Sequence, residues 1–243
     1  MINQKKPELS SKLIEIFTQQ TIRAENGYLN AQQTGSYQLL ALCSRQFFKS
    51  QLALGLIKWR NNEDPRPNFE KAIERAVTNI PELSKLSTLA VIEEDFRLEN
   101  LKIIAFLLDK TTELEINLES VKETDRRLDC LLASTICDRV NLKIDTQTHI
   151  EILKLFKNKR TSLAAKTYET YFEILHNPNA KNVEEVVKKA ENLYLDRSSD
   201  SFYSGGDTTD GGGPDNDIVV DFRLAAVLKK INYQGNSIHR WNW

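Results

Sequence analysis

The chain has 243 residues, of which 40% are hydrophobic and 28% are charged, and its 34 acidic residues nearly balance its 33 basic residues. This composition is too apolar for a disordered chain and predicts a packed core. Because the net charge is close to zero, we exclude a global electrostatic attraction to nucleic acid or to an anionic membrane, and we expect no contact with either.

Apolar residues recur at three- and four-residue spacing along most of the chain, which predicts an all-α fold. The first helix follows Pro7 and is expected to end near Asn26 and Gly27. The stretch from Tyr37 to Trp59 is the most apolar, but charged residues interrupt it, so it predicts a buried core helix and not a membrane span. A polar loop over residues 61–67 then ends this helix.

The next predicted helix begins after this loop and stops at Pro81. From Leu83 to Leu108 the helical pattern continues, with an expected break near Asn100. Further helices are predicted around residues 128–140 and 161–176, and another after Asn182. Short turns between them favour an antiparallel helical bundle, or an array that resembles helical repeats.

The run over residues 198–217 breaks this pattern, because it contains five of the nine glycines and five aspartates. It predicts a flexible Gly/Asp-rich loop, although its aspartates could in principle gather calcium. After it we expect a final helix capped by Asp217, and a tail in which Trp241 and Trp243 dock onto the chain itself or onto a partner. The predicted domain therefore has a helical body at 1–197, the loop at 198–217, and a C-terminal helix with its tail at 218–243.

Three further patterns bear on location and chemistry. An odd number of cysteines without a Cys-x-x-Cys pair predicts reduced thiols, and the polar N-terminus lacks the apolar stretch of a signal peptide, so we expect a cytoplasmic protein. His149, His176 and His239 lie far apart and outside any metal-ligand spacing, and each is interpreted as a surface or packing residue. No phosphate-binding loop occurs, and we predict no catalytic residue, cofactor or metal site.

An acidic segment with an aromatic residue at its centre is the main candidate for partner binding. Carboxylates facing a basic partner accelerate encounter, and an aromatic side chain supplies an anchor. A solvated helix face that pairs with Arg97 and Lys102 is the alternative. Together with two aspartates of the Gly/Asp-rich loop, the predicted partner-binding residues are Glu93, Glu94, Asp95, Phe96, Glu99, Asp207 and Asp210.

Two C-terminal segments carry a family resemblance. Val220-Asp221-Phe222-Arg223-Leu224-Ala225-Ala226-Val227-Leu228 and Gly235-Asn236-Ser237-Ile238-His239-Arg240-Trp241, after a long helical body, resemble the all-helical immunity proteins of bacterial polymorphic-toxin and contact-dependent inhibition systems. The resemblance implies a cognate inhibitor that binds a toxin domain and blocks its active site. It carries no catalytic motif and assigns no contact residue.

These observations lead to a function hypothesis with two alternatives. We expect an immunity protein, not an enzyme, whose partner is a cognate toxin protein. A helical scaffold or adaptor that holds a peptide between helices is the first alternative. An enzyme with a carboxylate-based site, involving Glu93 or Glu94, is the second.

Overall fold

A computed structural model of the chain describes residues 6–84, 98–110, 124–137, 159–203, 220–237 and 239–243. These residues form helices and loops without a strand, so the predicted all-α fold is confirmed for the part of the chain they cover. The helices are α1 (Lys6–Thr34), α2 (Tyr37–Arg60), α3 (Arg66–Ser84), α4 (Leu98–Leu107), α5 (Thr124–Cys137), α6 (Lys159–His176), α7 (Val183–Tyr203) and α8 (Phe222–Lys230).

Contacts along the chain define two compact units. Unit 1 contains residues 1–96 with Trp243, and unit 2 contains residues 97–242. The predicted organisation into 1–197, 198–217 and 218–243 stays a prediction. Cys43, Cys130 and Cys137 all belong to the described residues, and none of them forms a disulfide.

Unit 1 is built around α2, which packs against both α1 and α3. Only Gly35 and Ser36 separate α1 from α2, and Gly35 takes a positive φ of 65°, a backbone conformation that glycine adopts without strain. The chain therefore reverses in two residues, and α1 and α2 run antiparallel.

Helix α1 extends past Gly27 to Thr34, so the predicted end near Asn26 and Gly27 was wrong. Gly27 faces α2 instead, where an added Cβ would lie 2.5 Å from the Cys43 Sγ. Here glycine allows two helices to approach each other and does not end one of them.

Helix α3 likewise continues through Pro81 to Ser84, against the prediction that it stops there. Proline removes one backbone hydrogen bond, and with only three residues following it in α3 the helix is not obliged to end. Near the other end of α3, Phe69 packs on Gly55 of α2, where an added Cβ would lie 2.3 Å from the Phe69 Cε1.

The apolar stretch predicted as a core helix corresponds to α2. Its residues from Ser50 to Ile57 are all buried, and the helix ends at Arg60 before the polar loop, as predicted. Among the described helices, we find none with the length and apolarity that crossing a bilayer requires.

Unit 2 is built around α8, whose residues from Phe222 to Leu228 are all buried. It packs against α4, α5 and α6, while α4 pairs with α5 and α6 pairs with α7. At its C-terminal end, Lys229 donates to the Leu107 carbonyl oxygen at 2.7 Å and pairs with Asp109 at 2.8 Å. The lysine thus satisfies a free carbonyl at the end of α4.

Two of the helix boundaries that the sequence predicted in unit 2 were wrong. Helix α8 begins at Phe222 with Asp221 as its N-cap, so the assignment of the cap to Asp217 was wrong. The Asp221 side chain accepts hydrogen bonds from the backbone N–H groups of Arg223 and Leu224. The expected break near Asn100 is also absent, since α4 is continuous across it. In the tail, Trp241 and Trp243 are half-buried.

Candidate functional site

Of the predicted partner-binding residues, only Glu99 belongs to the part of the chain that the structure describes. Its side chain is on α4 and is 0% exposed, because that helix is enclosed in unit 2. Its carboxylate is therefore not on the surface of the unit. The other six, Glu93, Glu94, Asp95, Phe96, Asp207 and Asp210, lie outside the described residues.

A groove in unit 1 is a candidate site for a partner. Helices α1 and α3 form its two walls, and Phe47 and Gln51 of α2 contribute to its floor. Its volume of about 380 Å³ falls within the range of about 300–1,000 Å³ that is usual for ligand pockets. The lining residues, called the groove below, are Thr21, Glu25, Tyr28, Phe47, Gln51, Lys71, Glu74, Arg75, Thr78 and Asn79.

The spacing of these residues follows from the helix period. Thr21, Glu25 and Tyr28 lie three and four residues apart on α1, and Lys71, Arg75 and Thr78 do so on α3, so each set shares one face. The antiparallel arrangement around α2 brings the two faces together.

Arg75 is the central charge of the groove. Its guanidinium carbon lies 4.4 Å from the ring centroid of Tyr28 and 4.4 Å from that of Phe47. Such cation–π contacts contribute about 0.5–1 kcal/mol at exposed sites and more when water is excluded. The two rings hold the guanidinium in place while its side chain stays 22% exposed.

The Glu25 carboxylate provides only a loose counter-charge. Its oxygen lies 3.8 Å from the terminal nitrogen of Arg75, which is longer than a hydrogen bond, and its side chain is 50% exposed. The deepest charge of the groove is therefore positive, although two carboxylates, Glu25 and Glu74, also line it.

Side-chain hydrogen bonds fix the floor of the groove. The Tyr28 hydroxyl donates to Asn79 Oδ1 at 2.9 Å, and Asn79 Nδ2 donates to the Ser44 hydroxyl at 2.8 Å. Gln51 donates to the Thr21 hydroxyl at 3.2 Å and accepts from Asn68 at 2.8 Å. These bonds join all three helices, so the groove is held in its shape before any partner arrives.

A second set of polar residues, called the buried polar cluster, lies inside unit 2. The Arg223 guanidinium donates to the Asp129 carboxylate at 2.5 Å and to Asn100 Oδ1 at 3.3 Å. The Tyr168 hydroxyl also donates to Asp129. The side chains of Arg223 and Asp129 are only 5% and 7% exposed, so this ion pair is sealed from solvent.

Asp221 links the start of α8 to the tail. Its carboxylate caps α8 and accepts from the Tyr171 hydroxyl, while its backbone N–H donates to Nδ1 of His239 at 2.8 Å. His239 is 0% exposed, and burial lowers its pKa, although the carboxylates of Asp221 and Glu191 oppose this change. Since Nδ1 accepts a hydrogen bond, neutral His239 carries its proton on Nε2.

The sequence reasoning missed both sets of residues, yet it contained a signal for each. Arg223 is the one charged residue in the buried run from Phe222 to Leu228, and such a residue needs a buried partner. Ser44, Ser50 and Gln51 are polar residues in the core helix α2, and all three are buried. Only the folded chain reveals which residues complete each set.

Comparison of this chain with protein-family models, with curated proteins and with solved structures found no match.

Proposed function

We propose that this chain is an immunity protein, which binds one folded toxin domain and blocks its activity. The observation that carries the proposal is the groove of unit 1, with the partly exposed Arg75 held against Tyr28 and Phe47. Arginine and tyrosine are enriched among the residues that dominate binding energy at protein interfaces. A preformed groove also reduces the entropy that the chain loses on binding.

The C-terminal resemblance supports the class of partner. The two segments that carry it meet inside unit 2, where the Asp221 N–H bonds to His239. Those residues therefore maintain the shape of the unit and do not have to contact the partner. We expect inhibitors that each recognise a different toxin to share interior residues and to differ in their surface residues.

Co-expression with a neighbouring toxin gene tests this proposal. The candidate toxin is expressed with or without the full chain, growth is followed, and the two proteins are purified together by an affinity tag. We expect growth rescue and a stable complex. Rescue without a complex, or a complex without rescue, would each contradict neutralisation by binding.

A matched pair of variants on α3 sharpens the test. Arg75→Ala removes the central charge of the groove and is expected to weaken rescue and complex formation. Arg66→Ala is the control, because Arg66 lies on the same helix, is 50% exposed, and pairs with Asp64 away from the groove. Equal effects of the two variants would show that the groove is not the contact surface.

A helical adaptor is the second candidate, favoured by the position of the groove between two helices, where a partner helix could lie. An adaptor should bind several short peptides weakly, whereas an inhibitor should bind one folded domain tightly. Measuring affinities for a peptide library and for the toxin domain under the same conditions separates the two functions.

A further inference from the structure

We infer that the groove recognises a carboxylate, and that Arg75 receives an Asp or Glu side chain from the partner polypeptide. This inference deepens the proposed function, and it depends on that function for the identity of the partner. The binding of a carboxylate at Arg75 can nevertheless be measured without any partner protein.

The geometry of Arg75 is the first reason. The two aromatic rings fix the guanidinium, and within the described residues its closest charged neighbour is the Glu25 oxygen at 3.8 Å. A guanidinium presents its N–H groups as a planar fork that matches the two oxygens of a carboxylate. The rings position the fork of Arg75, but the Glu25 carboxylate is too far away to accept a hydrogen bond from it.

The distribution of charge is the second reason. Two cations, Arg75 and Lys71, and two carboxylates, Glu25 and Glu74, line the groove, and Arg75 is the only one of the four that is half-buried and not exposed. The carboxylate nearest to the Arg75 guanidinium, that of Glu25, is 50% exposed and can move into solvent, whereas the Arg75 side chain is 22% exposed and is held by two aromatic rings. An incoming carboxylate thus displaces Glu25 and pairs with the less hydrated cation, where charge interactions are stronger.

The size of the groove argues for a side chain on a polypeptide and not for a small free anion. Its volume of about 380 Å³ exceeds what one carboxylate group fills, and the hydroxyls of Thr21 and Thr78 also line it. The remaining space can take the apolar part of the acidic side chain and its neighbouring backbone.

Titration of the full chain with a defined probe tests the inference. The probe is N-acetyl-glutamate methylamide, and the matched control is N-acetyl-glutamine methylamide, which has the same shape without the charge. The Nε–Hε signal of Arg75 is followed by NMR in arginine-labelled protein. We expect this signal to shift only with the glutamate probe, while the signal of Arg66, already paired with Asp64 at 2.7 Å, stays in place.

Two substitutions then separate recognition from folding. Arg75→Lys keeps the charge but loses the fork, and is expected to weaken probe binding about tenfold, as followed through the amide signals of the groove. Glu25→Gln removes the competing carboxylate, and is expected to tighten binding several-fold. Thermal unfolding of both variants verifies that the chain still folds, and the Glu25→Gln result stands even if Arg75→Lys does not fold.

Three results would overturn the inference. These are an Arg75 signal that does not respond to the glutamate probe, an equal response to the glutamine probe, and weaker binding by Glu25→Gln. Equal affinity for acetate would overturn the assignment to a polypeptide side chain. Failure of toxin rescue with a positive titration would refute the immunity function alone, and the reverse pattern would refute the carboxylate site alone.

Discussion

Asp221 joins three parts of unit 2, which are the start of α8, helix α6 and the C-terminal tail. Its carboxylate caps α8 and accepts from Tyr171, and its backbone N–H donates to His239. A helix cap contributes about 1 kcal/mol, and a buried hydrogen bond of this kind about 0.5–1.5 kcal/mol. Because the bonds share one residue, we expect their losses to be coupled and not additive.

Protonation of His239 opposes folding. Burial lowers its folded pKa below the unfolded value of about 6.5, so the unfolded chain binds a proton at a pH where the folded chain does not. Protonated Nδ1 would also face the Asp221 N–H, placing two donors against each other. The stability that neutral His239 supports is therefore complete above about pH 6.5 and is lost as the pH falls below it.

We predict that this loss disappears in His239→Asn, whose side-chain oxygen can still accept a hydrogen bond but does not titrate. Urea unfolding from about pH 8 to about pH 5 measures the free energy of unfolding of both proteins. The wild type should be the more stable at high pH, and this difference should shrink as the pH falls. His176→Asn is the matched control, since it replaces an exposed histidine and leaves the bond between Asp221 and His239 in place. A constant difference between wild type and His239→Asn would contradict the prediction.

The ion pair of the buried polar cluster is expected to be costly to break. Asp129→Asn leaves the Arg223 guanidinium, only 5% exposed, without its carboxylate, and should lower the free energy of unfolding by about 3–5 kcal/mol. The double variant Asp129→Leu with Arg223→Met removes both charges, and it should recover part of the loss in the free energy of unfolding. A double-mutant cycle from urea unfolding measures this, and strictly additive losses would contradict it.

At the level of secondary structure, the sequence predicted where several helices lie, but it misplaced some of their ends. Periodicity located α2, α3 and α6, because each carries apolar residues at helical spacing, and many of those whose burial is described are buried. It placed a helix end at Gly27 and at Pro81, where the chain continues as helix. The effect of such residues depends on the neighbour they face, and the sequence does not contain that information locally.

The contact between α2 and α3 gives a test of this explanation. Gly55→Ala gains helix propensity of about 1 kcal/mol, but its Cβ would lie 2.3 Å from the Phe69 ring. Overpacking of this kind costs about 1–3 kcal/mol, so we predict a net loss in the free energy of unfolding. In a Phe69→Leu background the added methyl group should be tolerated better, and an equal loss in both backgrounds would disprove the clash.

For the whole molecule, the near-zero net charge of -1 makes a prediction about kinetics. A neutral protein attracts its partner weakly over distance, so we expect the association rate with the toxin domain that we propose as its partner to change little between about 0.05 and about 0.5 M salt. Arg75→Lys should act mainly on the dissociation rate, because Arg75 is partly buried. Surface-immobilised binding at several salt concentrations measures both rates, and a steep fall in association rate with salt would contradict this.

The fold class of the described residues could be predicted, but the candidate site could not. Helical periodicity is a property of each segment, so the all-α fold was predictable from the sequence. The groove depends on Tyr28, Phe47 and Arg75, which belong to three helices and meet only after these pack. The predicted acidic segment was chosen from adjacent residues, and its one described member, Glu99, is buried.

The central place of α8 in unit 2 has a consequence for the order of events on the ribosome. The three helices that the structure describes in unit 1 are all synthesised by Ser84, whereas α4, α5 and α6 await residues 222–230 before the faces that they pack against α8 are covered. Translation that pauses before Phe222 therefore leaves those faces accessible to chaperones or to aggregation. The bond between Asp221 and His239 can close only once His239 has emerged, so unit 2 is completed later than unit 1.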